Sequence, residues 1–300
     1  MSQSRKQLYL RGIQPKRELI RMSERIENRL IGILRAIGVI FLVGIAAFPF
    51  YWMVLASLQP LIETLQNPTQ LWPSRIDFSA YVKVWTQFKF GLFFRNSAYL
   101  AILTTALTVA FSTLAAYAIA RLRFRGRSLM SRVILLIYMF PAIVIATPMY
   151  ALYTQLGLRN NLNGLLLVYM AQTLPVAIYM LHSYFKTLPP DLEEAGLMDG
   201  CSRLGVIWRV TLPLSAPAIA SVCLYTFMIA WNEFLFAFLF LDSPSSFTLS
   251  RGIMQIANNV NVSQQLTMAA AVIATLPVIV IFLVFERHLV KGLTSGGVKG

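Results

Sequence analysis

Acidic side chains are scarce, 12 against 26 Lys and Arg, and two cysteines with two histidines complete the metal- and redox-capable set in 300 residues. Cys201 falls in a polar loop and Cys223 in an apolar run, without metal-ligand spacing, which argues against both a disulfide framework and a metal centre. His182 and His288 each border an apolar run, where surface or interfacial histidines sit, and no HExxH or Cys/His cluster accompanies them. A Gly-x-x-x-x-Gly-Lys-Ser/Thr phosphate loop is missing, and the pair Gly-Lys occurs nowhere, so no ordinary ATP site exists in this chain. Metal, hydrolytic and nucleotide chemistry are thereby set aside: the chain reads as no enzyme. A repeat of about 20–50 residues is also absent, which removes solenoids and arrays.

What is abundant is apolar surface, with 57% hydrophobic and 13% charged residues. A bilayer core needs about 20 apolar residues in a helix, and six stretches meet or approach that length. They lie near residues 31–58, 96–120, 133–153, 164–185, 214–240 and 267–285. An all-α integral membrane protein with six transmembrane helices follows, and the even count puts both termini on one side. The Lys and Arg tally orients it. Twenty of the 26 fall in residues 1–35, 121–132, 186–209 and 287–299, and the opposite loops hold Arg75, Lys83, Lys89, Arg95, Arg159 and Arg251. The richer side, with both termini, is read as cytoplasmic. Topology also accounts for the net charge of +14, which is spread over membrane-flanking loops without the aromatic interleaving of a nucleic-acid surface.

Residues 1–30 mix Leu19, Ile20, Met22, Ile26 and Leu30 with Arg and Glu, the pattern of a cytoplasmic or interfacial amphipathic segment. The first apolar run lacks a small-residue cleavage pattern and reads as a retained signal anchor. Pro60, Pro68 and Pro73 punctuate residues 59–92, too short for a domain and suited to capping the bundle. Pro49, Pro141, Pro148, Pro175, Pro217 and Pro277 fall within spans, so kinked helices are expected. The organisation is thus an N-terminal segment 1–30, a membrane domain 31–290 with a polar loop at 187–213, and a C-terminal tail 291–300.

That loop is the most informative segment. Leu188-Pro189-Pro190-Asp191 breaks the chain after the fourth span, and Asp191 with Glu194 three residues on has capping-box spacing for a short helix 192–199. Leu192, Ala195, Gly196 and Asp199 share one face, a narrow stripe of mostly small residues. Gly200 permits a left-handed turn, and Ser202 can cap a second helix 203–208 before Pro213 leads into the fifth span. Spacing alone suits either a surface that docks a partner closely or an amphipathic loop lying on the membrane.

Glu194-Ala195, Gly200 and Leu212-Pro213 stand at the spacing of the EAA loop of ABC importer permeases, which this segment resembles. Gly196 replaces the second Ala and Val210 the Ile of that pattern; both stay small or apolar. Asn96-Ser97, Ala115-Ala116-Tyr117-Ala118 with Arg121, Trp231-Asn232-Glu233 and the terminal 292–300 extend the resemblance to carbohydrate permeases of the maltose type. The resemblance implies a type I importer permease fold with short cytoplasmic coupling helices, in a bacterial or archaeal cytoplasmic membrane. It implies three partners: a second, homologous permease, a cytoplasmic ATPase dimer that carries ATP and Mg, and an extracytoplasmic substrate-binding protein. No cofactor is expected on this chain. The ATPase-coupling residues it points to are Glu193, Glu194, Ala195, Gly196, Asp199 and Gly200, with Glu194 meeting a basic residue in the ATPase cleft. Ser295, Gly296 and Gly297 in the tail either reach the ATPase interface or form an unstructured terminus.

Glu233 is an acid inside a span, which costs a few kcal/mol unless it pairs or faces water. With Asn232 it lines a translocation path or cements helices, and Gln172 is a further candidate for the same cavity. The expected function is translocation of a sugar or polyol by alternating access, driven by the separate ATPase. A proton-coupled secondary transporter with Glu233 as carrier is the alternative, and a scaffold that recruits a partner through 187–213 is a third reading.

Overall fold

The computed structural model describes residues 3–66, 70–259 and 262–296, with side chains from Arg29 to Glu286 apart from residues 61, 64, 65 and 135. The chain divides into two compact units, Met1–Leu55 and Ala56–Gly300. Helix α1 (Gln3–Leu58) is continuous, so the expected N-terminal segment and first span form one rod. Side chains of residues 1–28, on which its amphipathic pattern rests, lie outside the described set. Its crossing part, Arg29–Leu58, buries 0% of its most apolar stretch, as an α-helix in lipid can because every backbone group is satisfied internally.

In the second unit α2 (Leu61–Gln66) and α3 (Ser79–Gln87) precede α4 (Phe90–Arg121), a helix of 32 residues. Then follow α5 (Arg127–Tyr138), α6 (Ala142–Gln155), α7 (Leu162–Phe185), α8 (Pro190–Met198) and α9 (Arg203–Val206). A π-helical turn Ile207–Thr211 joins α9 to α10 (Leu212–Leu214), and α11 (Ala216–Asn232), α12 (Leu235–Phe240), α13 (Leu249–Ala257) and α14 (Gln264–Gly296) complete the chain. No strand occurs among the described residues.

Among the described residues four helices are long and apolar enough to cross a membrane, or six if each of two bent pairs is one span. The third expected span, 133–153, is therefore not one helix: it starts at Arg127 and turns by 94° between α5 and α6. Pro141 sits at that corner as the N-cap of α6 with ψ of 130°, because it has no N–H with which to continue the helix. The fifth, 214–240, departs at both ends. An 84° bend at Ser215 separates α10 from α11, and α11 stops at Asn232, leaving Glu233 and Phe234 outside any helix. Pro148, Pro175 and Pro277 by contrast lie inside continuous helices. The second span starts at Phe90, about 1.7 turns before Asn96.

Helix α4 is the axis of the unit and packs on α7 and α11. Its buried face carries Ala101, Thr104, Thr108, Ser112, Ala116 and Ala120, small residues at helical spacing that let backbones approach. Thr108 and Thr173 hydroxyls meet at 3.0 Å across the α4–α7 seam. At the Phe90 end, α3 packs on α14 and α4, and Trp85 meets Phe90 edge to face at 5.3 Å. Here too Asn160, in a left-handed conformation that Asn tolerates, accepts from Asp242 and Ser243 N–H through its side chain, and Arg159 pairs with Asp242 at 2.7 Å. The other end of α4, about 48 Å away at 1.5 Å per residue, meets the α8–α9 hairpin.

Candidate functional site

The hairpin begins where Pro189 and Pro190 end the approach from α7. Pro189 is the N-cap of α8 and Pro190 its first residue, so the cap expected at Asp191 is not there; Asp191 stands in the first turn without bonding a free N–H. A proline at the first helical position loses nothing, since that N–H has no intrahelical partner anyway, and its fixed φ suits the helix. Helix α8 accordingly runs Pro190–Met198, starting two residues before the expected 192.

Its end is closed by Gly200. With φ of +83° this residue turns the chain left-handed, so that Gly200 N–H reaches Leu197 O at 3.1 Å and Cys201 N–H reaches Gly196 O at 3.1 Å. That pair of bonds satisfies the last carbonyls of α8 and fixes its angle to α9. Ser202 then caps α9 by accepting from Gly205 N–H at 3.2 Å, as its position in the sequence suggests. The second helix does not stop at 208: it passes through the π-helical turn to Leu214.

Two of the six sequence-predicted coupling residues face inward. Glu193 is buried, and its Oε1 accepts from Arg121 Nε at 3.0 Å and from Thr211 Oγ1 at 3.3 Å. Arg121 also donates to Leu188 O at 2.9 Å. One guanidinium at the end of α4 therefore holds the start of the hairpin, and one carboxylate joins both arms of it. Tyr117, buried in α4, interacts with the same carboxylate and with Arg203. Gly196 is buried as well: a Cβ there would touch Val206 and Val210 methyls at 3.4 Å, so α8 lies close against the return arm. The small-residue stripe read from the sequence thus divides. Gly196 packs inside, while Leu192, Ala195 and Asp199 are exposed together with Glu194 and Gly200. Ile207 plugs the hairpin into a core of Ala116, Tyr117, Leu181, Phe185 and Val222 from α4, α7 and α11.

Met198 and Trp208 of the hairpin are both exposed, 88% and 71% accessible. The sequence reading passed over Met198 and Arg121's ion pair. Arg121 is 72 residues from Glu193, beyond any local periodicity; the available signal was a lone Arg closing an apolar span.

The predicted path residues separate in space. Glu233 Oε1 and Oε2 accept from Phe236 N–H at 2.8 Å and Ala237 N–H at 3.1 Å, so the carboxylate caps α12 at the break after α11. Asn232 is exposed and donates back to Met228 O at 2.9 Å. Trp231 is buried and donates from Nε1 to Ala274 O at 3.0 Å, tying α11 to α14. Gln172 lines a cavity of about 560 Å³ among α5, α6, α7, α11 and α12, whereas Asn232 and Glu233 do not. In the tail, Ser295 and Gly296 fall in the last turn of α14, with side chains outside the described set, and Gly297 lies outside the described residues.

Among the described residues the chain is thus a helical, multi-span membrane protein whose short hairpin is tied to the bundle by a buried ion pair. Residues 108–295 match the family described as "Binding-protein-dependent transport system inner membrane component", and the chain belongs to that family. It is a permease subunit, not an enzyme. The inner membrane ABC transporter permease protein YcjP of Escherichia coli is 38% identical over 265 residues, covering 88% of this chain and 95% of that one. The trehalose/maltose transport system permease protein MalG of Thermococcus litoralis is 37% identical over 281 residues, 91% of this chain and 99% of that one. A crystal structure of a bacterial ABC transporter involved in the import of the acidic polysaccharide alginate aligns with a TM-score of 0.78 at 25% identity, covering 87% of this chain and 97% of that one.

Proposed function

We propose that this chain is one permease half of an ATP-driven importer that carries a sugar or related polyol across the cytoplasmic membrane, with both termini and the hairpin on the cytoplasmic side. The observation that carries the reading is the wiring of the hairpin. Glu193 is bound simultaneously by Arg121 of α4 and Thr211 ahead of α11, while Glu194, Ala195 and Asp199 remain free to meet a partner. A push on α8 from an ATPase dimer would reach α4 through Arg121 and α11 through the π-helical turn, and tilt both between inward- and outward-open states. Moving such an equilibrium from 1:99 to 99:1 takes about 5.5 kcal/mol of state-dependent interaction. ATP and Mg would be held by the ATPase, a second permease would complete the path, and a substrate-binding protein would deliver from outside. Relatives named for trehalose/maltose and for arabinooligosaccharides support a saccharide cargo.

The test is ATP-driven uptake by the reconstituted complex. Glu194→Lys or Gly200→Asp should abolish it while the protein stays in the membrane, and Cys at 195 should crosslink to the ATPase. Normal uptake in both variants, or no crosslink in resting and nucleotide-trapped membranes, overturns the reading. The proton-coupled alternative is not favoured: the Glu233 carboxylate already accepts two backbone N–H groups at a helix start, which gives it a structural occupation. A proton carrier there would make uptake by the chain alone follow a pH gradient.

A further inference from the structure

Three arginines converge where α4 ends beside the hairpin. Arg121 at the end of α4, Arg123 in the following loop and Arg203 in α9 line an open cleft of about 490 Å³, together with Leu122 and Phe124. None of these five lining residues is acidic. The carboxylate nearest to them, Glu193, already accepts from Arg121 and Thr211. Arg123 and Arg203 have no ion-pair partner among the described residues, and Arg203 interacts with the neutral phenol of Tyr117 instead. The surrounding chain adds charge of the same sign, since residues 121–132 hold five Arg and no Asp or Glu.

Like charges gathered around one cleft repel, and a bound anion relieves them. The planar fork of a guanidinium matches paired phosphate oxygens, so the ligand chemistry that fits is a phosphate group. Two observations favour a lipid headgroup as its source. The cleft sits at the end of α4, a helix that crosses the membrane, and the loop after it leads into α5, the first arm of a bent pair. It therefore lies at a membrane boundary, with Phe124 exposed beside it as an apolar contact for the lipid's glycerol and acyl region. The exposed residues of α8 include Glu194 and Asp199, which call for a basic partner surface. Like-charge repulsion would hold such a surface away from three arginines.

We infer that this cleft binds the phosphate of an anionic phospholipid in the inner leaflet, held by Arg123 and Arg203 with Arg121 beside them. The bound headgroup bridges the loop after α4 to α9, alongside the Arg121–Glu193 link. The inference rests on the permease reading for the side of the membrane on which the cleft lies.

The test follows lipid retention by the complete complex, with partner permease, ATPase and binding protein. The complex is assembled in nanodiscs of mixed phosphatidylcholine and phosphatidylglycerol and released into detergent. Retained lipid and ATPase are then counted by native mass spectrometry. Wild type should keep phosphatidylglycerol in preference to phosphatidylcholine. Arg123→Gln/Arg203→Gln should lower that preference about tenfold or more, whereas Arg123→Lys/Arg203→Lys should keep most of it. Arg132→Gln, in the same basic stretch but outside the cleft, should leave it unchanged. Full retention in the double Gln variant overturns the site. Equal loss in Arg132→Gln also overturns it, since diffuse attraction to the basic stretch would then suffice. Displacement of the lipid by millimolar inorganic phosphate assigns the cleft to the free anion and overturns the lipid source. Loss of the ATPase from the double Gln variant makes the cleft a protein contact and overturns it as well. A wild-type chain that keeps phosphatidylglycerol but holds no ATPase supports the site and removes the permease reading.

Discussion

Arg121 Nε and Glu193 Oε1 meet at 3.0 Å, with side chains 13% and 8% accessible, and so join the last residue of α4 to the first turn of α8. Removing either partner strands a buried charge, which costs about 3–5 kcal/mol. Arg121→Ala and Glu193→Ala should each lower the thermal unfolding midpoint of the detergent-solubilised protein. An Arg121→Met/Glu193→Leu double variant should recover much of the midpoint but not ATP-driven uptake. A double variant that transports normally would show that the ion pair serves stability alone.

Gly200 and Gly196 impose different constraints on the same helix. At φ of +83° a side chain is strained regardless of space, so Gly200→Ala should cost about 1–2 kcal/mol, and Gly200→Asn less. At Gly196 the limit is volume: Gly196→Ala places its methyl 3.4 Å from two valines and should be tolerated, whereas Gly196→Leu should push α8 off the return arm. Disulfide trapping between cysteines placed on α8 and on the return arm would report the separation.

Gly252 in α13 supports the far end of α4. A Cβ there would run into the Phe93 ring, so Gly252→Ala should destabilise by about 1–3 kcal/mol. Phe93→Leu should partly rescue it in thermal unfolding. Additive losses in the double variant would contradict direct contact.

Two carboxylates in the segment before α3 predict its behaviour in acid. Asp77 is held below the usual carboxylate range by the N–H and hydroxyl of Ser79, and Glu63 by the N–H and hydroxyl of Ser74. A depressed folded value means that the charged form is the bound one. The contribution is therefore complete above the ordinary values of about 3.9 and 4.3 and is lost as pH falls through the lower folded ones. Cleavage of this segment by pepsin should accordingly rise as pH falls below the ordinary carboxylate range. Asp77→Asn, which keeps an acceptor but cannot titrate, should blunt the rise.

Much of this architecture was legible because lipid simplifies the code. Long apolar runs with basic flanks located α1, α4, α7 and α14, and Gly200 and Ser202 announced their turn and cap through local chemistry. What was not legible depends on contacts distant in sequence. Nothing near Glu233 says that its carboxylate will cap a new helix instead of lying within a continuous one. Arg121 and Glu193 carry no shared period, so Glu193 read as a docking residue although it is buried beneath the hairpin. Asp191 failed as a cap because two adjacent prolines start the helix earlier than a capping acid would.

The thioether of Met198 and the indole of Trp208 leave two large apolar groups of the hairpin uncovered. Large uncovered apolar groups invite promiscuous association. A copy made in excess of its companions would therefore be prone to clumping and proteolysis. If a partner subunit covers those two side chains, expressing it together with this chain should improve recombinant yield.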